Sequence, residues 1–307
     1  MNKYVPEGRL INTEENNENI ELVKSGDGSI VNGAIIEARA ILCDREHNLH
    51  IDLNGMRGII PRNESALSTD GSGIKDIAVI SRVNKPVAFK MVRLSEGEEN
   101  RKFAVLSRKA AQEECEEKYI SALSPGDIID ARITHFEPFG AFCDVGTGIS
   151  ALLPIDNMSV SRIPHPNARF CIGDDIKVIV KSTDEYGRLI LSHKELLGTW
   201  EENAALFSAG ETVPGIVRSV ESYGAFIEIA PNLAGLAEIT EGVENNAHAS
   251  VFIKSINPQK MKIKLVIVDS FSASYPPPKI KYFIKSGRLD SWRYSPVGCD
   301  RMVETIF

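Results

Sequence analysis

Phe139-Gly140-Ala141-Phe142 returns 84 positions later as Tyr223-Gly224-Ala225-Phe226, and the same offset lays Gly126 over Gly210, Asp144 over Glu228 and Val145 over Ile229. A fixed offset that carries glycines, aromatics and acids together marks an internal repeat. Around the first copy lie five short segments that read as strands, 128–136, 140–145, 149–153, 176–183 and 188–192, with Pro164 and Pro166 in the long connection after the third. Around the second copy the pattern recurs with a shorter connection, and its last two strands, 250–256 and 261–268, are joined by Asn257-Pro258-Gln259-Lys260. Five strands with turn signals at short intervals predict a small barrel.

Working outward, a third such unit precedes the other two. Leu49-His50-Ile51-Asp52-Leu53 alternates with period two, Asn54-Gly55 is a tight-turn signal, and 35–43, 58–61, 86–94 and 102–107 complete five strands. Gly71 and Gly73 mark an irregular stretch, and Glu96-Gly97-Glu98-Glu99 an acidic loop. Leu106-Ser107-Arg108-Lys109 closes this unit as Leu191-Ser192-His193-Lys194 closes the next. The expected fold is mainly β, three consecutive five-stranded barrels joined by short helical linkers. Its parts are a flexible acidic arm (1–30), a first barrel (31–109), a helical linker (110–124), a second barrel (125–195), a second linker (196–209), a third barrel (210–268) and a basic-aromatic tail (269–307). The tail opens on Pro276-Pro277-Pro278, an extended polyproline signal.

Composition narrows the chemistry. The 307 residues are 43% hydrophobic and 25% charged, as in globular proteins. No apolar run approaches the roughly 20 residues that span a bilayer, so no membrane partner is expected. The first twenty residues lack an apolar signal core, and the five cysteines (Cys43, Cys115, Cys143, Cys171, Cys299) show no paired spacing. A reducing cytoplasm is the expected location. The net charge of −7 argues against coating double-stranded DNA but leaves single strands open, since those are held by stacking with a local strip of positive charge. His47 and His50 lack the cysteines or second histidine pair of a zinc set, and no phosphate loop, catalytic triad or carboxylate motif appears. No enzyme, metal, cofactor or small-molecule substrate is expected.

The chemistry is therefore sought in the repeated aromatics. In a regular strand Phe139 and Phe142 fall on opposite faces, and Gly140 permits a bend that brings both rings to the surface. Rings that fill the barrel core are the alternative. Each base stacked on a ring contributes roughly 1–3 kcal/mol. Arg132, Lys177 and Arg188 in the second unit, and Arg218 in the third, are candidates to hold phosphates. Asp184 and Arg188, flanking Glu185-Tyr186-Gly187, also read as an ordinary hairpin ion pair. Tyr282, Phe283 and Trp292 of the tail either pack it onto the third barrel or stack on nucleic acid.

The run Pro125-Gly126-Asp127-Ile128, Phe139-Gly140-Ala141-Phe142-Cys143-Asp144-Val145, Leu152-Leu153 and Leu191-Ser192-His193-Lys194 resembles the S1-type RNA-binding repeat of the bacterial ribosomal protein S1 family. The arrangement is similar to that of the shorter S1-like proteins of Gram-positive bacteria. The resemblance implies OB-fold barrels and a face made of two aromatics on strand two, a histidine ending strand three, and an acid and a base around the last hairpin. The second unit supplies Phe139, Phe142, Asp184 and Arg188, with Pro154 at the histidine position. The third supplies Tyr223, Phe226, Asn257 and Lys262, with Glu238 there. The first has His47 and His50 in place of the aromatics and Pro61 in place of the histidine, a degenerate pattern the family associates with ribosome docking. The implied function is non-enzymatic binding of single-stranded RNA, messenger RNA at the small ribosomal subunit in translation initiation, led by the second barrel. A module acting beside a ribonuclease and a protein-interaction scaffold are the alternatives.

Overall fold

The computed structural model describes residues 4–25, 33–68, 73–96, 102–273, 275–277 and 279–307. Three closed five-stranded barrels are present, and in each the order around the barrel is first, second, third, fifth, fourth. The first comprises β1 (Ile36–Cys43), β2 (Leu49–Leu53), β3 (Met56–Ile60), β4 (Pro86–Glu96) and β5 (Lys102–Ser107). The second comprises β6 (Ile128–Glu137), β7 (Gly140–Asp144), β8 (Ser150–Pro154), β9 (Asp175–Thr183) and β10 (Leu189–Ser192). The third comprises β11 (Thr212–Glu221), β12 (Gly224–Ala230), β13 (Leu233–Ala237), β14 (His248–Asn257) and β15 (Lys262–Phe271). In all three the third strand runs parallel to the fifth, at Gly58↔Ala104, Leu152↔Ile190 and Leu236↔Lys264. The mainly β fold with three barrels is thus as the repeat predicts. Asn54 and Gly55 take φ of 53° and 95°, the left-handed pair that a two-residue hairpin requires. Parts of three expected features, the end of the arm, the Gly71 stretch and the Glu96–Glu99 loop, lie outside the described residues, as does Pro278.

The chain divides into two compact units: Met1–Leu123 with Asp144–Ser150 and Glu185–Gly187, and Ser124–Cys143 with Ala151–Asp184 and Arg188–Phe307. Within the first unit residues 4–25 of the arm pack on the first barrel, where a flexible segment is expected. Its helix α1 (Glu14–Ser25) places Asn16, Ile20 and Val23 on one face by their spacing of four and three. Ile20 and Val23 enter the core with Ile36, Leu49, Ile51, Phe89 and Leu106. Asn16 bonds the Glu37 backbone twice, Nδ2 to the carbonyl at 2.9 Å and Oδ1 from the amide at 2.7 Å. Glu37 Oε2 also accepts from Gly8, Leu10 and Ile11 N, each at 3.0 Å, so the barrel supplies partners that a polar segment lacks alone. Glu7 anchors the arm further, accepting from Arg108 Nε at 2.8 Å. Arg108 opens α3 (Arg108–Lys118), which Ser107 caps by accepting from Ala110 N at 2.9 Å. A short helix α2 (Asp76–Ile80) lies in the connection between β3 and β4.

In the second unit, helix α4 (Trp200–Ala204) starts at a capping box, Thr199 with Glu202. Its Trp200 packs into the core of the third barrel together with Trp292 and Tyr294 of the tail. Tyr282 and Phe283 pack elsewhere, on segments of the second barrel and its linker. The Tyr282 hydroxyl accepts from Lys177 N at 3.1 Å and lies 3.2 Å from His193 Nε2, and Phe283 N donates to Leu196 O at 2.9 Å. Gly198, at φ 82°, leaves room for the Phe283 ring that any Cβ would strike. The tail then bridges Asp127 through Arg288, and closes on a small sheet of β16 (Ser291–Arg293) and β17 (Glu304–Ile306). The packing alternative for the tail holds, on both barrels rather than the third alone. Arg108 and His193 occupy the same place in the Leu-Ser-Arg/His-Lys motif, and each pins a terminal segment of the chain.

Candidate nucleic-acid interface

Phe139 lies in the turn before β7, and Phe142 lies on β7 itself. Because Phe139 precedes the strand, no bulge at Gly140 is needed to bring the rings to one side. Gly140 has another role: a Cβ there would meet the Leu153 carbonyl oxygen at 2.6 Å, so only glycine lets the turn close on β8. Phe139 is 55% exposed and Phe142 half-buried, so neither fills the core. Their rings meet edge to face at 6.2 Å and 86°, and His135 stacks on Phe142 at 6.0 Å. The third barrel repeats this construction. Tyr223 is 67% exposed, Phe226 is half-buried, and their rings lie 6.2 Å apart at 88°. A Cβ on Gly224 would meet the Ala237 carbonyl oxygen at 2.7 Å.

The charges beside the two pairs differ. In the second barrel Arg132 grips Asp175 at 2.8 and 2.9 Å, Lys177 pairs with Asp130 at 2.8 Å, and Arg188 Nε pairs with Asp184 at 2.8 Å. Arg188 N also donates to Asp184 Oδ1 at 2.9 Å, so this pair closes the last hairpin. Every expected cation of this barrel thus has a carboxylate partner. In the third barrel Tyr223, Phe226, Leu236, Glu238, Lys254 and Lys262 line a groove of about 650 Å³, with Lys264 beside them. Among the described residues none of these three lysines forms an ion pair. Asn257 is exposed at the hairpin opposite Lys262, its Oδ1 accepting from Lys260 N at 3.0 Å.

Arg218 is a correction. Its side chain is 7% exposed and its Nε lies 2.9 Å from Glu228 Oε2. Glu228 is held from a second side by Arg169, at 2.6 and 3.1 Å. Burial alone raises a carboxyl's pKa, yet the two guanidiniums hold Glu228 below its ordinary value. Arg218 is therefore held in a largely buried ion pair.

Sequence reasoning missed Lys254 and Lys264. Both alternate with buried neighbours, Ile253 and Leu265, so period two could have placed them outward with Lys262. Register also matches Lys254 to Lys181 of the second barrel, whose Nζ donates to Asn157 Oδ1 at 3.0 Å. The first barrel carries no aromatic pair at the matching position. His50 is buried, its Nε2 2.9 Å from Asp44 Oδ2 and its Nδ1 accepting from Arg57 Nε at 2.8 Å, while His47 Nε2 faces Asp76 at 3.8 Å. His50 is thus enclosed, while the His47 side chain stays 31% exposed. Among the described residues no group of three His, Cys, Asp or Glu is placed to hold a metal ion, and no helix is long and apolar enough to cross a membrane.

Residues 123–194 match the S1 RNA binding domain. A crystal structure of a multidomain protein with nucleic acid binding domains from Streptococcus pneumoniae aligns over 77% of this chain and 73% of its own, with 12% identity and a TM-score of 0.26. The small ribosomal subunit protein bS1 of Staphylococcus aureus is 32% identical over 245 residues, 78% of this chain and 59% of that protein. That of Staphylococcus epidermidis is 30% identical over 273 residues, 87% of this chain and 64% of that protein. The chain thus spans about three-fifths of the length of these relatives. An S1 domain thus lies at the second of three barrels that share one strand order, and the chain is similar over most of its own length to the bacterial ribosomal protein bS1.

Proposed function

We propose that the chain binds single-stranded RNA, without catalysis, by stacking bases on the aromatic pairs of the second and third barrels. The observation that carries this reading is the recurrence of one edge-to-face pair, 6.2 Å in both barrels, each held outward by a turn that only glycine closes. Phosphates of a strand lying on the third barrel meet Lys254, Lys262 and Lys264; on the second they meet Lys177, Arg132 and Arg188 in competition with their carboxylates. Asp184 and Asn257 hold the hairpins that border the two faces. Linked weak sites raise the effective concentration of the strand at one another. By its relatives' name, small ribosomal subunit protein, the context we propose is messenger RNA at the small ribosomal subunit in the cytoplasm. The first barrel, with its histidines held in polar contacts, takes no part in stacking.

The test is filter binding of oligouridylate to the full chain carrying Phe139→Ala with Phe142→Ala, or Tyr223→Ala with Phe226→Ala. Each pair is expected to weaken binding by more than about tenfold, given roughly 1–3 kcal/mol per stacked base, with an unchanged circular-dichroism spectrum. Folded variants that bind as the unaltered chain does would remove the stacking mechanism.

A further inference from the structure

A second pocket in the same unit is lined by none of the four face aromatics, although Ile155 in its wall donates to the Phe139 carbonyl at 2.9 Å. It measures about 560 Å³ and is formed where the connection after β8, the residues after β10 and the turn between β16 and β17 converge. Three cations line it, Arg162, Lys194 and Arg301, against one carboxylate, Asp156. Among the described residues Arg162 and Arg301 form no ion pair, and Lys194 Nζ donates at 3.2 Å to the backbone carbonyl of Asp156 rather than to its carboxylate. Burial lowers the pKa of Lys194, the charges of Glu195 and Asp156 opposing that shift and that of Lys181 adding to it. The walls are fixed by hydrogen bonds. Asn232 Oδ1 accepts from Val160 N at 2.8 Å and Ser159 Oγ at 3.1 Å, and Ser295 Oγ holds both Arg301 O at 2.7 Å and Val303 N at 2.8 Å. Arg162 and Arg301 are exposed and Lys194 half-buried, so an anion bound there would meet three cations against one carboxylate. The volume falls in the range of small-ligand sites, roughly 300–1,000 Å³.

We propose that this pocket binds a phosphate group, either of a free nucleotide or of an RNA backbone, independently of the aromatic faces. Arg162 and Arg301 supply the planar donor forks that suit phosphate oxygens, and half-buried Lys194 supplies a point charge. The reading does not rest on stacking by the barrels, so either can fail alone.

Isothermal titration calorimetry of the full chain with uridine monophosphate and with uridine tests it. Uridine monophosphate is expected to bind and uridine to bind at least about tenfold more weakly, since charge-assisted bonds to the phosphate carry the affinity. Arg162→Ser with Arg301→Ser, both surface substitutions, should abolish the difference, while a chain lacking all four face aromatics (Phe139, Phe142, Tyr223, Phe226 to Ala) should retain it. Absence of binding, equal binding of the two probes, an unaffected arginine variant, or loss in the aromatic variant would each overturn the proposal. Oligouridylate then separates the sources. If the RNA backbone is the ligand, the arginine variant binds it more weakly and its salt slope falls by about 1.4, roughly 0.7 for each phosphate no longer neutralised. If a free phosphate is the ligand, oligouridylate binding is unchanged while uridine monophosphate no longer binds.

Discussion

The second and third barrels share strand order, ring geometry and the glycine beneath the rings, yet they distribute charge in opposite ways. In the second, Lys177, Arg132 and Arg188 are neutralised by Asp130, Asp175 and Asp184. In the third, Lys254, Lys262 and Lys264 form no ion pair among the described residues, and the carboxylate that binds arginines is buried Glu228. The repeat aligns Asp144 with Glu228, and both are buried acids, but they titrate in opposite directions. Burial, reinforced by the charge of Glu7, raises the Asp144 carboxyl to about 6. Two arginines hold Glu228 below its ordinary value. A duplicated barrel therefore keeps what its backbone geometry demands, the rings and the glycine, while its electrostatics follow from whichever segments pack on it.

The largest expected effect is on the buried ion pair. Glu228→Gln leaves Arg169 and Arg218 enclosed without a counter-charge, and both already have a buried nitrogen lacking a partner, Arg169 Nε and Arg218 Nη2. Breaking such a pair from one side costs about 3–5 kcal/mol, whereas Asp184→Asn at the exposed hairpin of the second barrel should cost no more than about 1 kcal/mol. Urea unfolding of the two variants measures the contrast; equal losses would mean that the buried cluster contributes no more than a surface pair.

Next comes a pH effect confined to the second barrel's contact with the tail. His193 is fully buried between Phe170 and Tyr282, and burial lowers its pKa to about 4 despite the bond to the Met158 carbonyl. The folded chain therefore holds this imidazole neutral while the unfolded chain binds a proton below about 6.5. The contribution is intact above that value and is lost as pH falls toward 4, by on the order of 3 kcal/mol. The difference in stability between the unaltered chain and His193→Gln should shrink across this window. Taking the difference removes the opposite slope of Glu37, which burial raises to about 7. A difference that does not change with pH would remove His193 from the account.

A smaller effect, on RNA rather than stability, tests the lysines. Replacing Lys254, Lys262 and Lys264 with Gln should reduce the salt slope of oligouridylate binding by about 2, roughly 0.7 for each of three phosphates. Lys177→Gln in the second barrel should barely move it. If the two variants change the slope alike, the charge contrast between the faces has no bearing on binding.

What could be read in the sequence was local. Strand alternation, the Asn54-Gly55 turn and the aromatic-glycine repeat each report on neighbours a few residues apart, and the barrels and rings follow from them. The enclosure of Arg218 depends on Arg169, which lies 59 residues before the glutamate both arginines share, in a connection that the repeat does not match. The order of the arm escapes composition for a related reason: an average over 1–30 hides that Asn16, Ile20 and Val23 align on one helical face. The outward lysines were legible in the alternation of their strands, but the hairpin pattern points only to Lys262 and passes over Lys254 and Lys264.

The finest test takes the contrast apart from the other side. Lys177 is 34% exposed and Asp130 46%, so their bond is largely in water and contributes about 0–1 kcal/mol to stability. Asp130→Asn should therefore leave folding intact while releasing the ammonium to a passing phosphate. The second barrel would then resemble the third by one charge. Oligouridylate binding at low salt should tighten about two- to threefold, and the slope should steepen by about 0.7. The gain must disappear when Lys177→Gln is added, because the carboxylate acts on the strand through that lysine. If affinity rises equally in the double variant, Asp130 repels RNA directly; if it does not rise in either, the second barrel's cations lie outside the path of the strand and its rings act alone.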